Sequence, residues 1–283
     1  MPQIIEIGFS PCPNDTFIFD ALVNKKINTG DFTFHAVLED VETLNQYALH
    51  QKLPITKISY GVFPLVMNNY ALLDAGSALG RGVGPLLIRS KSLSISDLSK
   101  YPVAIPGEHT TAHLLFTMAY PQLKNKVFLR YDEIEEFVLE DQGFGVIIHE
   151  NRFTYKDKGL ENVTDLGEYW ETITGQPIPL GGIVIDKSIA GGRQIEINQL
   201  IRKSIEYAYQ HYPSLPLFVT ANAQEMSEDV MRQHIDLYVN DFTLSLKKEG
   251  RSAIQQLLNV YTQMHGIKNP APPEFIYVEA NAY

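Results

Sequence analysis

The sequence predicts an α/β fold of two lobes, each a mostly parallel sheet flanked by helices, joined by two crossing strands. Two observations carry this. Short apolar, β-branched runs alternate with capped helical stretches through the first half of the chain, which is the pattern of βα units. Two glycine-led apolar strands then bracket a middle segment, Gly80-Arg81-Gly82-Val83-Gly84-Pro85-Leu86-Leu87-Ile88-Arg89 and Pro177-Ile178-Pro179-Leu180-Gly181-Gly182-Ile183-Val184-Ile185-Asp186, as if the chain crossed to a second lobe and later returned. Two unrelated buried strands would satisfy the same pattern.

Ile4-Ile5-Glu6-Ile7-Gly8 opens the chain as a strand, and the stretch from Phe9 to Phe19 follows as a tight loop and a helix start. Pro11 and Pro13 fix φ in the loop, Asn14 or Asp15 is positioned to cap the helix, and Phe17, Ile18, Ala21 and Leu22 give it an apolar face. Residues 32–38 read as a strand, 40–49 as a capped amphipathic helix, 54–59 as a strand, 60–68 as a helix or helical turn, and 70–74 as a strand. The middle segment repeats the logic. Residues 103–105 form a strand, Pro106-Gly107 a turn, 110–120 a helix, 127–131 a strand, 132–139 an acidic-capped helix and 145–148 a buried strand. Beyond residue 190 the pattern is helical, over 194–209, from a Ser227 cap to about 239, and over 250–264, and the prolines of 270–273 end regular structure.

The 283 residues are 45% hydrophobic, enough for one large domain or two ordinary ones. A formal charge of −10 argues against a nucleic-acid groove and against an anionic membrane surface, so an anionic ligand must be held by helix N-termini, hydroxyls or a local cation. Cys12 is the single cysteine, which precludes an intrachain disulfide and suits a reducing compartment. Met1-Pro2-Gln3-Ile4 lacks the basic start of a secretory signal, and no apolar run approaches the roughly 20 residues of a membrane span. A cytoplasmic protein is the expectation. Oligomeric state is not legible.

Among residues able to carry chemistry, His149 stands at the carboxyl end of a buried strand, where an open sheet presents its ligand crevice and an imidazole exchanges protons near neutral pH. A hydrogen-bonded structural histidine would look the same. His109-Thr110-Thr111-Ala112-His113 opens a helix with small and hydroxylic residues, a seat for a carboxylate or simply a threonine cap. Lys57-Ile58-Ser59 ends a strand with a cation and a hydroxyl. His109, His113 and His149 match no metal-ligand spacing, the glycines of 80–84 lack the lysine of a phosphate loop, and Cys12 has no evident partner histidine.

Ser-Pro-Cys-Pro-Asn-Asp-Thr-Phe-Ile-Phe at 10–19 resembles the opening signature of the 1,4-dihydroxy-6-naphthoate synthases of the futalosine route to menaquinone. Leu38-Glu39-Asp40-Val41-Glu42-Thr43-Leu44-Asn45, Thr56-Lys57-Ile58-Ser59-Tyr60, Pro106-Gly107-Glu108-His109-Thr110-Thr111-Ala112 and the segment Gly145 to Tyr155 resemble the same family, as do Asp165-Leu166-Gly167 and Pro179-Leu180-Gly181-Gly182. The resemblance covers nearly the whole chain. It implies the periplasmic-binding-protein type II architecture, with lobe 1 at 1–87 plus 187–283 and lobe 2 at 88–186. It implies a cofactor-free lyase acting on a small anionic substrate, with no metal, His149 as general base, Lys57, Ile58, Ser59, Thr110, Thr111 and Ala112 as substrate contacts, and Ser10, Asn14, Asp15 and Thr16 lining the floor between the lobes. A cytoplasmic solute-binding or sensor protein and the sister chorismate dehydratase remain the alternatives.

Overall fold

The computed structural model describes residues 3–223 and 226–277. β1 (Gln3–Phe9) lies parallel to β2 (Phe32–Leu38), with Gln3 opposite Phe32 and Phe9 opposite Leu38. Between them runs α1 (Pro13–Val23), buried from Pro13 to Leu22. Pro13 occupies the first helical turn, so the N-cap falls on Cys12 rather than on Asn14 or Asp15, and the Asp15 carboxylate instead turns back to accept from the Ser10 amide and hydroxyl. α2 (Val41–Leu49) starts as expected, the Asp40 carboxylate accepting from the amides of Glu42 and Thr43. β3 (Ile55–Ser59) pairs parallel to β1, and α3 (Phe63–Val66), β4 (Tyr70–Leu73) and β5 (Ala78–Gly80) complete the outgoing half.

β6 (Leu86–Arg89), β7 (Val103–Ile105), α4 (Thr111–Ala119), β8 (Lys126–Phe128), α5 (Ile134–Leu139), β9 (Phe144–Ile147), α6 (Asn151–Thr154), β10 (Glu161–Asp165) and α7 (Leu166–Thr174) build the second lobe. The chain returns as β11 (Ile178–Asp186) and continues through α8 (Gly191–His211), α9 (Leu217–Asn222), α10 (Glu228–Tyr238), α11 (Asp241–Leu244) and α12 (Lys247–His265). β12 (Phe275–Ile276) then adds parallel to β4, so regular structure resumes after the prolines expected to end it.

One sheet runs β12-β4-β11-β3-β1-β2 with β5 also paired to β11, and the other runs β10-β6-β9-β7-β8. The expected parallel units are present in β2-β1-β3 and β8-β7-β9. Each sheet is nonetheless mixed, because the chain goes out and comes back in opposite directions: β5 is antiparallel to β11, and β6 to β10. The pairing also shifts the expected lobe limits. A boundary at 87 would cut β6, which belongs whole to the second sheet, and β11, assigned by the expectation to the second lobe, is a central strand of the first. The crossings are the connections 81–85 and 175–177.

One apolar cluster fills the space between the first sheet and its helices, with Ile7, Phe9, Phe17, Ile201 and Ile205 fully buried. Another is continuous across both sheets, through Tyr60, Phe63, Leu72, Leu87, Phe116 and Trp170. The lobes therefore meet through shared packing as well as through the two connections. At this seam Gly61 comes so close to α4 that a Cβ there would stand 2.6 Å from the Thr110 carbonyl carbon. Gly61→Ala is expected to push the α4 N-terminus away and to lower stability in urea titration by about 1–3 kcal/mol, the usual cost of overpacking.

Candidate functional site

The cleft between the sheets holds a cavity of about 90 Å³. Its walls are strand ends and helix starts, which is where an open α/β sheet exposes polar groups to a ligand. Ser10, Asn14, Asp15, Lys57, Ile58, Ser59, Thr110, Thr111, Ala112 and His149 all line it. Thr16 does not. It is fully buried, and its hydroxyl donates to the Cys12 and Pro13 carbonyls inside the first turn of α1.

The floor is an internally satisfied charge network. Lys57 Nζ lies 2.7 Å from Asp15 Oδ1 and 3.1 Å from the Gly76 carbonyl. Asp15 also accepts from the Ser10 hydroxyl at 2.8 Å and from the Asn14 amide at 2.9 Å. Lys57 is thus no spare cation for an anionic ligand, because its charge is spent on Asp15, and removing either partner would strand a buried charge. Beside it the Ser59 amide donates to Asn45 Oδ1, which fixes the end of β3 against α2.

The opposite wall is the N-terminus of α4. Thr110 caps it, its hydroxyl accepting from the His113 amide. The Thr111 hydroxyl donates to the Leu180 carbonyl at 2.7 Å and accepts from the Gly61 amide at 3.1 Å, so it ties the second lobe to the first rather than reaching for a ligand. What Thr111 and Ala112 offer the cleft is backbone, since the opening amides of a helix have no partner within it. Glu42 adds a second tie, its carboxylate accepting from the His109 amide.

His149 stands two residues after the end of β9 and has φ +57°, a left-handed conformation that residues other than glycine adopt at a cost and that recurs at functional sites. Its Nδ1 lies 3.7 Å from Cys12 Sγ, so Cys12 has a partner histidine that sequence spacing alone did not suggest. The Tyr131 ring meets the imidazole edge-on, with centroids 5.0 Å apart. Burial pushes the His149 pKa below the ordinary 6.5; Glu150 and Asp15 oppose that shift and Lys57 adds to it. The same burial, with the nearby charge of Glu150, pushes the Cys12 thiol well above 9.0. At neutral pH the pair is a thiol beside a neutral imidazole.

His234 was not singled out from the sequence. It sits on α10, has no solvent exposure, and stacks nearly parallel to His149 with ring centroids 6.1 Å apart. Neither of its ring nitrogens has a hydrogen-bond partner among the described residues. Tyr238, one turn further on, lines the same cavity. Met231, His234, Ile235 and Tyr238 are the buried positions of α10, so the signal available was a histidine on the apolar stripe of an amphipathic helix.

Burial, with His149 and Lys57 adding to it, holds the His234 imidazole well below 6.5. The unfolded chain takes up a proton near 6.5 while the folded ring stays neutral, so stability is full above that pH and is lost as the pH falls below it. The thermal midpoint is expected to drop on acidification below pH 6.5, and His234→Gln is expected to blunt that drop, as followed by circular dichroism.

The fold has relatives among solved structures. A protein of Archaeoglobus fulgidus superposes with a TM-score of 0.87 at 29% identity, covering 94% of this chain and 98% of its own. The periplasmic aliphatic sulphonate binding protein of Escherichia coli superposes with a TM-score of 0.67 at 11% identity, covering 96% of each chain, and so shares the periplasmic-binding-protein fold. In sequence, the 1,4-dihydroxy-6-naphthoate synthase of Thermus thermophilus is 42% identical over 276 residues, covering 97% of this chain and 100% of its own length. That of Streptomyces coelicolor is 38% identical over 260 residues, 90% of this chain and 91% of its own. A family profile described as menaquinone biosynthesis matches residues 5–263, and with the full-length likeness to these two synthases it places the chain in that family.

Proposed function

We propose that this protein is a carbon-carbon lyase that converts cyclic dehypoxanthinylfutalosine to 1,4-dihydroxy-6-naphthoate, with His149 as its general base. The observation that carries the reading is the position of His149: a neutral imidazole at the carboxyl end of β9, facing a cleft whose other walls come from both lobes.

In this reading the substrate's carboxylate lies against the opening amides of α4 at Thr111 and Ala112, where the helix dipole favours an anion without a free cation. Ser59 offers a hydroxyl from the facing strand. His149 takes a proton from the sugar-derived part of the substrate, the electron pair moves into an elimination, and loss of the sugar-derived fragment leaves the aromatic naphthoate. The Lys57–Asp15 network serves as a rigid floor, holding Ser10 and Asn14 in place through Asp15. Because the base and the floor stand on different lobes, closure of the cleft assembles the site and expels water. A lone thiol and a family of biosynthetic enzymes suit the reducing cytoplasm as the place of reaction. Among the described residues no helix is long and apolar enough to cross a membrane.

Purified protein incubated with cyclic dehypoxanthinylfutalosine is expected to release dihydroxynaphthoate over many turnovers, measured by chromatography. His149→Asn is expected to lower kcat by about a hundredfold or more, the range of a lost general base, while leaving the thermal midpoint nearly unchanged. Stoichiometric binding without product would instead identify a solute sensor, and turnover of chorismate the sister dehydratase. Since the base form of His149 persists below the ordinary value, the acid limb of kcat/KM is expected to have its midpoint below pH 6.5; a midpoint above 6.5 would remove His149 from the role.

A further inference from the structure

Cys12, His149 and His234 come from three distant stretches of chain and from both lobes, yet each presents a ligating atom, and these atoms all lie within 4.8 Å of one another. We propose that Cys12, His149 and His234 form a binding site for one thiophilic divalent cation of the zinc class, and that its occupancy shuts the enzyme off by taking the lone pair of His149. The second half of this proposal rests on His149 being the base; the first does not.

Geometry favours the site. In a tetrahedral zinc centre, bonds of about 2.3 Å to sulfur and about 2.0 Å to nitrogen place those two atoms about 3.5 Å apart. Cys12 Sγ and His149 Nδ1 are separated by 3.7 Å. The His234 ring, nearly parallel to that of His149, brings the third donor within small side-chain adjustments of the same point. A second argument is independent of distance. A fully buried imidazole with both nitrogens unpartnered among the described residues, as in His234, is a costly arrangement, and a cation relieves it by coordinating one of them. Nearby, Glu150 Oε2 is likewise buried and without a partner among the described residues, on a side chain close enough to act electrostatically on Cys12 and His149.

Soft-ligand chemistry selects the cation. One thiolate and two imidazoles match zinc, cobalt or copper and disfavour magnesium or calcium, which require oxygen. Three protein ligands leave a fourth tetrahedral position for water. Binding forms a sulfur–metal bond and breaks the Cys12 S–H bond, releasing one proton to solvent with no change of oxidation state. Cys12 is buried, but it and His149 both line a second cavity of about 220 Å³, which gives a cation an entry path. Because the ligands span both lobes, the bound cation would also hold the cleft shut.

Cobalt(II) alone, added to the full chain, reports the site directly. We expect one equivalent to give a thiolate-to-cobalt charge-transfer band, zinc(II) to abolish the band by displacement, and calorimetry in two buffers to show one proton released. Cys12→Ser is expected to remove the band, and His234→Gln to weaken zinc binding by at least about tenfold. As Cys12 is the only cysteine, wild-type protein needs no substitution for a parallel test: zinc should slow labelling by a thiol reagent, and a chelator should restore it. No band in the wild type, a band that survives Cys12→Ser, or labelling indifferent to zinc overturns the site. Turnover of the naphthoate precursor unaffected by zinc at saturating occupancy overturns the inhibitory half. A cobalt band in a protein with no turnover at any metal content would keep the site and remove the lyase reading, whereas turnover without a band would do the reverse.

Discussion

The hydroxyl of Thr111, held between the Gly61 amide and the Leu180 carbonyl, is the interaction on which the geometry of the cleft depends. It joins the first turn of α4 in the second lobe to the end of β3 and to β11 in the first. Gly61 makes the approach possible, because any side chain there would collide with the Thr110 backbone. Once this bond is made, the opening amides of α4 face the ends of β1 and β3 across a narrow space, and His149, delivered by β9, closes the third side. Two short connections alone would leave the lobes free to hinge. The seam sets the distance across which the chemistry works.

Charge within the cleft is arranged to leave little net field. Lys57 and Asp15 cancel each other, Cys12 is a thiol, and both imidazoles are neutral. A net charge of −10 does not favour attracting an anion from a distance, so the proposed recognition of an anionic substrate acts at contact range, through backbone amides and hydroxyls. Desolvated beside a neutralised ion pair, the His149 imidazole stays unprotonated at neutral pH, the form that the proposed general base requires.

Desolvation that keeps the His149 imidazole neutral also prepares it to accept a metal. Neutral imidazoles are the form that ligates, and a buried thiol with a histidine at 3.7 Å needs only to lose a proton. The proposed cation site is in this sense a consequence of the burial that keeps His149 neutral, with His234 as the group that turns a pair into a triad.

Local order was legible in the sequence because it rests on local physics. Strand and helix alternation, the Asp40, Thr110 and Ser227 caps, and the strand-end position of His149 follow from residues within a few positions of one another. Of the eleven site residues to which the wording of 10–19 and the other family-like segments point, the fold gathers ten around one cavity. Thr16 failed because a threonine in a first helical turn satisfies its hydroxyl on the carbonyls behind it, which local wording does not reveal. Tertiary structure alone decided the rest: that Lys57 is consumed by Asp15, that β6 and β11 run against their neighbours, that Cys12 meets His149, and that His234 stacks on it. Each is a contact between residues from dozens to more than a hundred positions apart, and what chooses such a contact is the burial of charge and apolar surface in the assembled lobes, a free energy that no short stretch of sequence contains.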